Sequence, residues 1–114
     1  MSNYYPDKWV ILKITTPTDV LYKCLCGWYG GFAKGDSWRL NSGIDHVIDV
    51  GDSYQIYGYS GSMYDCMKSG QGLSSYTENM YNSFVQHVKE LSDGHSIEIL
   101  NTETDDFKGL IKND

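Results

Sequence analysis

At 114 residues the chain has the length of one domain with a core of modest size, and its net charge of −6 denies duplex DNA or RNA the basic footprint those partners require. The longest apolar run, Trp9-Val10-Ile11-Leu12, is far too short to span a bilayer, and the polar N-terminus Met1-Ser2-Asn3-Tyr4-Tyr5-Pro6-Asp7 has no apolar signal core. Three cysteines, an odd number, read as reduced thiols, so a cytoplasmic protein with no membrane partner and no long nucleic acid is expected.

In chain order, Lys8 to Thr15 predicts a strand with two apolar faces, Val10, Leu12 and Ile14 on one and Trp9 and Ile11 on the other. Such a strand is usually central in its sheet. After the turn Thr16-Pro17-Thr18-Asp19, Val20 to Trp28 predicts a hairpin partner, with Val20, Tyr22, Cys24, Cys26 and Trp28 on one face and Leu21, Lys23 and Leu25 on the other. A glycine loop over 29–36 follows. Ser37 to Gly43 reads as a third strand with Trp38 and Leu40 opposite Arg39 and Asn41, Asp45 to Val50 as a fourth, Ser53 to Ser60 as a fifth and Ser62 to Lys68 as a sixth.

The pattern then changes. Ser75-Tyr76-Thr77-Glu78 matches a capping box, and Tyr76, Met80, Phe84, Val88 and Leu91 recur at helical spacing up to the stop at Gly94. Ile97 and Ile99 make a short strand. The acidic segment 102–114 carries Phe107, Leu110 and Ile111, which read as a last helical turn docked on the fold. The expected architecture is α+β: a single domain over 1–114 with its core in 8–100, built as a twisted antiparallel meander of about six to seven strands with one amphipathic helix packed on a face.

Function points first to the stretch from Gly27 to Gly43. It holds the only arginine, Arg39, two of the three tryptophans and five of the twelve glycines. Trp28, Tyr29 and Trp38 offer flat faces for stacking, loop amides near Gly30, Gly31 and Gly35 suit an anion, and Ser37, Arg39, Asn41 and Ser42 add polar donors. The alternative is structural, with indoles filling the core and Arg39 paired to a carboxylate such as Asp36. The segment lacks both the Gly-x-x-x-x-Gly-Lys-Ser/Thr loop and the Gly-x-Gly-x-x-Gly fingerprint, so nucleoside triphosphate hydrolysis is not expected.

Other constellations are less specific. Cys24 and Cys26 point the same way on a strand and, with Cys66 and His46, would number four zinc ligands, although structural zinc favours Cys-x-x-Cys knuckles. A nucleophilic pair of Cys66 or Cys26 with His46, His87 or His95 is the enzymatic option. Asp45, Asp49 and Asp52 lie close without the spacing of a calcium loop. Tyr54, Tyr57, Tyr59 and Tyr64 form either a second wall of the pocket, a protein–protein surface or ordinary cross-strand aromatic pairs. No cofactor, metal or catalytic set is assigned.

The segments Gly27-Trp28-Tyr29-Gly30-Gly31, Gly35-Asp36-Ser37-Trp38-Arg39-Leu40-Asn41-Ser42-Gly43-Ile44 and Tyr57-Gly58-Tyr59-Ser60-Gly61-Ser62 resemble small uncharacterised proteins of tailed bacteriophages, over about residues 9–75. The resemblance implies a viral accessory protein in the bacterial cytosol and carries over no site residue. Compact proteins of that kind bind host enzymes or sequester defence-signalling nucleotides. The expectation is a non-enzymatic protein binding a nucleotide-like or aromatic anionic ligand, homo-oligomerisation being compatible with it. An acidic module inhibiting a host or phage protein and a small Cys/His enzyme are the alternatives.

Overall fold

The computed structural model describes residues 2–30 and 37–112. Its strands are β1 (Asn3–Tyr4), β2 (Lys8–Thr15), β3 (Val20–Trp28), β4 (Ser37–Leu40), β5 (Ile44–Asp49), β6 (Ser53–Gly58), β7 (Met63–Met67) and β8 (Ser96–Leu100). Helix α1 spans Ser75–Lys89 and the short α2 spans Asp105–Lys108. The α+β class, the antiparallel meanders and the one long helix match the expectation. The strands divide between two sheets, however, in the orders β1-β7-β6-β5 and β4-β3-β2-β8.

β2 shows why the layers stack as they do. Its Trp9, Val10, Ile11 and Leu12 are all buried, and each is worth about 1.5–3 kcal/mol of hydrophobic stabilisation. Trp9 and Ile11 face the second sheet, joining Cys24, Cys26, Ile44, Val47, Ile56, Tyr64, Cys66, Leu100 and Phe107 in the larger core. Val10 and Leu12, with Leu25, face α1 and pack with Trp38, Leu40, Tyr81 and Phe84. The order of layers is therefore helix, sheet, sheet. The Trp9 indole N–H also donates to the Met67 carbonyl at 2.7 Å, tying the centre of one sheet to the end of β7 in the other.

The split between sheets happens at Asn41–Gly43. Asn41 ends the β3–β4 ladder by accepting the Cys24 amide on its Oδ1 at 2.8 Å and donating its own amide to the Cys24 carbonyl at 3.1 Å. Gly43 then takes φ +144°, which favours glycine, and the chain passes into β5 of the other sheet. β4 is accordingly shorter than the expected Ser37–Gly43 strand.

Helix α1 starts one residue earlier than the Ser75/Glu78 box implied. Ser74 is the N-cap: its hydroxyl accepts the Thr77 amide at 3.1 Å, and the Ser74 amide donates to the Thr77 hydroxyl at 2.8 Å. Both residues are buried against β3, where Gly27 leaves room for them: a Cβ at position 27 would lie 2.7 Å from Thr77 Cγ2. The helix ends at Lys89, and Gly94 belongs to the following turn, with φ +93°.

β1 was not foreseen. It pairs in parallel with β7, Tyr4 opposite Tyr64. After β8, the acidic segment docks by Phe107, which is buried, and by an ion pair from Lys13 to Asp106 at 2.8 Å. Residues 110–112 then run beside β5: the Val47 amide donates to the Leu110 carbonyl and the Lys112 amide to the Val47 carbonyl, both at 2.8 Å.

Candidate functional site

Edge strands β1 and β4 meet at one rim of the sheet-on-sheet sandwich. Register on β7 stacks Tyr4 on Tyr64, ring centroids 4.8 Å apart and 18° from parallel. Register on β3 places Arg39 opposite Cys26 and Ser37 opposite Trp28. Arg39 thus points toward the other sheet, where its Nε donates to the Tyr64 hydroxyl at 3.0 Å and its guanidinium carbon lies 4.7 Å above the Tyr4 ring. Trp28 touches the other side of the cluster, 6.2 Å from Tyr4, and its indole N–H donates to the Tyr5 carbonyl at 3.0 Å. Tyr29 follows with an exposed ring, its amide held by the Asp7 carboxylate at 2.8 Å.

Arg39 is exposed, and none of the ion pairs among the described residues includes it. Asp36, the carboxylate weighed as its partner, lies outside those residues, as do Gly31 and Gly35. The Tyr64 hydrogen bond raises the Arg39 pKa further, so the guanidinium stays charged at every working pH. Burial pushes the Tyr64 hydroxyl up, against the opposing pull of Arg39, which keeps that oxygen protonated and neutral near pH 7.

The structure divides the sequence-derived set. Trp28, Tyr29, Gly30, Ser37 and Arg39 sit at or beside the rim. Trp38 does not: strand alternation turns it to the helix layer, edge-on to Phe84 at 5.8 Å. Asn41 is buried and spent on the Cys24 backbone. Ser42 is exposed on a separate groove of about 330 Å³ that Val20, Leu21, Tyr22, Ile44, Tyr59 and Leu110 also line. Tyr4, Tyr5 and Asp7 were missed, because their place depends on the parallel pairing of a two-residue strand that no local pattern marks.

The tyrosine wall is likewise distributed. Tyr64 is in the rim cluster, Tyr54 packs on Trp9 and Phe107, Tyr57 stacks on His46, and Tyr59 is exposed by the groove. Asp45 hydrogen-bonds the His46 ring at 2.8 Å, and Asp49 holds both Lys68 and the Gly51 amide at 2.9 Å, so these carboxylates serve local hydrogen bonds, a turn and an ion pair. His87 is exposed on α1, and His95 bonds to the Ser92 carbonyl at 2.7 Å.

The three thiols do converge. Cys24, Cys26 and Cys66 are fully buried between the sheets with every sulfur within 4.8 Å of the others. Among the described residues no histidine hydrogen-bonds to them, and the zinc tetrad with His46 is not formed. Hydrogen bonds from Cys24 and then Cys66 draw the Cys26 thiol to a pKa below the ordinary value, helped by the charge of Arg39; burial holds Cys24 well above it.

No protein-family model, curated protein or solved structure matches the chain. Fold and site therefore define a class only: an α+β domain of helix on sheet on sheet, with a cation-bearing aromatic rim and a thiol-lined interior. None of its helices is long and apolar enough to cross a membrane, among the described residues.

Proposed function

We propose that this is a non-enzymatic binding protein that captures a small, flat, anionic ligand at the Arg39 rim, in the manner of a phage accessory protein that sequesters a nucleotide signal. The observation that carries the reading is the state of Arg39. It is exposed, braced by Tyr64 and Tyr4, and bonded through Nε, with its terminal N–H groups taken by none of the described residues and suited to an oxyanion. The brace matters because an arginine already held in place loses less entropy on binding. Trp28 and Tyr29 supply rings for a base or other aromatic body, and Ser37 a hydroxyl opposite Trp28. The net charge of −6 restricts the ligand to a small one that this single cation can neutralise locally.

The test is a melting-temperature panel of nucleoside monophosphates, diphosphates and cyclic dinucleotides. A binder raises the transition by mass action. Arg39→Ala removes the rise while the free protein still melts cooperatively, and Trp38→Phe, on the helix side, leaves it intact. A panel without a shift, or a shift that survives Arg39→Ala, overturns the reading.

A further inference from the structure

We propose that Cys24, Cys26 and Cys66 form a three-sulfur site for a trivalent thiophilic oxyacid of the arsenite class, held as a neutral tris-thiolate. Strands from both sheets build it: Cys24 and Cys26 point inward from β3, and Cys66 meets them from β7. Their sulfurs lie within 4.8 Å of one another, and Cys24 and Cys26 approach to 3.2 Å. All are fully enclosed, with Trp9, Ile11, Val47, Ile56 and Phe107 in the same core.

Charge selects the occupant. A monovalent ion on three thiolates leaves two negative charges in this apolar interior and a divalent ion leaves one, each costly to desolvate. A trivalent centre leaves none. Coordination agrees. Zinc takes four ligands at the corners of a tetrahedron, with sulfurs about 3.8 Å apart from its usual bond length. Here no fourth His, Cys, Asp or Glu joins the cluster among the described residues, and one sulfur pair is already closer than that. A pyramidal ion with three bonds and a lone pair needs neither the fourth ligand nor the wider spacing.

The chemistry balances without a redox partner. Each thiol gives its proton to one arsenic-bound hydroxide, which departs as water, so three As–O bonds break, three As–S bonds form and arsenic stays trivalent. Entry needs only local opening, and the four-residue edge strand β4, whose Arg39 lies across from Cys26, is a short element bordering the cluster.

The full chain, reduced and desalted, is incubated with sodium arsenite, desalted again and weighed by native mass spectrometry. The expected product carries one arsenic per chain, with a mass gain of one arsenic less three hydrogens. Its thiols resist alkylation after unfolding until a dithiol strips the arsenic. Cys24→Ala, Cys26→Ala and Cys66→Ala each lose retention through the same wash. Because alanine in this core can unsettle the fold, the wild-type chain is also treated with phenylarsine oxide, whose arsenic forms two sulfur bonds, and one thiol per chain then stays reactive. The proposal is overturned by no retained arsenic, by fewer than three displaced protons, by all three thiols staying reactive to alkylation, or by equimolar zinc or copper(I) displacing the arsenic.

Discussion

The Nε of Arg39 donates to the hydroxyl of Tyr64 at 3.0 Å, joining β4 of one sheet to β7 of the other at the rim proposed to take a ligand. Tyr64 is buried and Arg39 exposed, so one end of the bond is fixed by packing and the other faces solvent. Tyr64→Phe removes only the hydroxyl. It should lower stability by about 1 kcal/mol in urea titrations, and a double-mutant cycle with Arg39→Ala should return a coupling energy of about 0.5 kcal/mol or more. In the ligand panel the same variant should weaken binding, since it frees the guanidinium to wander.

Asn41 is the hinge between the sheets. Asn41→Ala leaves the Cys24 amide without its acceptor inside the core, at a cost of about 1–3 kcal/mol. Chemical denaturation measures that loss. Amide exchange at Cys24 should quicken in the variant; a protected amide would show that the side chain is dispensable there.

Gly27 is a close-approach glycine. A methyl group there would stand 2.7 Å from Thr77 Cγ2 and 3.3 Å from Ser74 Oγ, the two residues that cap α1. Gly27→Ala is expected to destabilise by roughly 1–3 kcal/mol through overpacking. Helix signal in far-ultraviolet circular dichroism should melt ahead of the sheet signal.

The Asp49–Lys68 pair predicts a pH signature. Lys68 and the Gly51 amide lower the Asp49 pKa below 3.8, and Asp49 raises that of Lys68 above 10.5. Stability from Asp49 is therefore complete above its unfolded value and fades as pH falls through the lower folded one. Stability from Lys68 is complete below its unfolded value and fades as pH climbs through the higher folded one. Asp49→Asn keeps an acceptor for Gly51 but not the charge. Its melting temperature should fall below that of wild type near neutrality, converge with it in acid and alkali, and show a gap that shrinks with salt.

Much of the framework was legible because it rests on local alternation. The two-faced pattern of Trp9 to Leu12 announced a central strand, and the opposition of Trp38 to Arg39 follows from the pleat. The site was legible only in part. Clustering along the chain grouped Trp38 with Arg39, whereas the same pleat sends them to opposite layers. Tyr4 entered through the long-range pairing that sets it on Tyr64, which has no short-range signal, whereas Cys24, Cys26 and Cys66 were grouped in advance and met, without His46, because two sheets close on each other. The passage at Asn41–Gly43 was hidden for a similar reason, since Asn41 acts through a side-chain bond to a residue on another strand.

The clasp of residues 110–112 on Val47 has a consequence for how copies of this molecule meet. β5 borders its sheet and would otherwise hold out bare amide and carbonyl groups, a template for a neighbour's strand and for fibrillar stacking. The chain occupies that template itself, so crowding alone gives a second copy little to zip onto along this border.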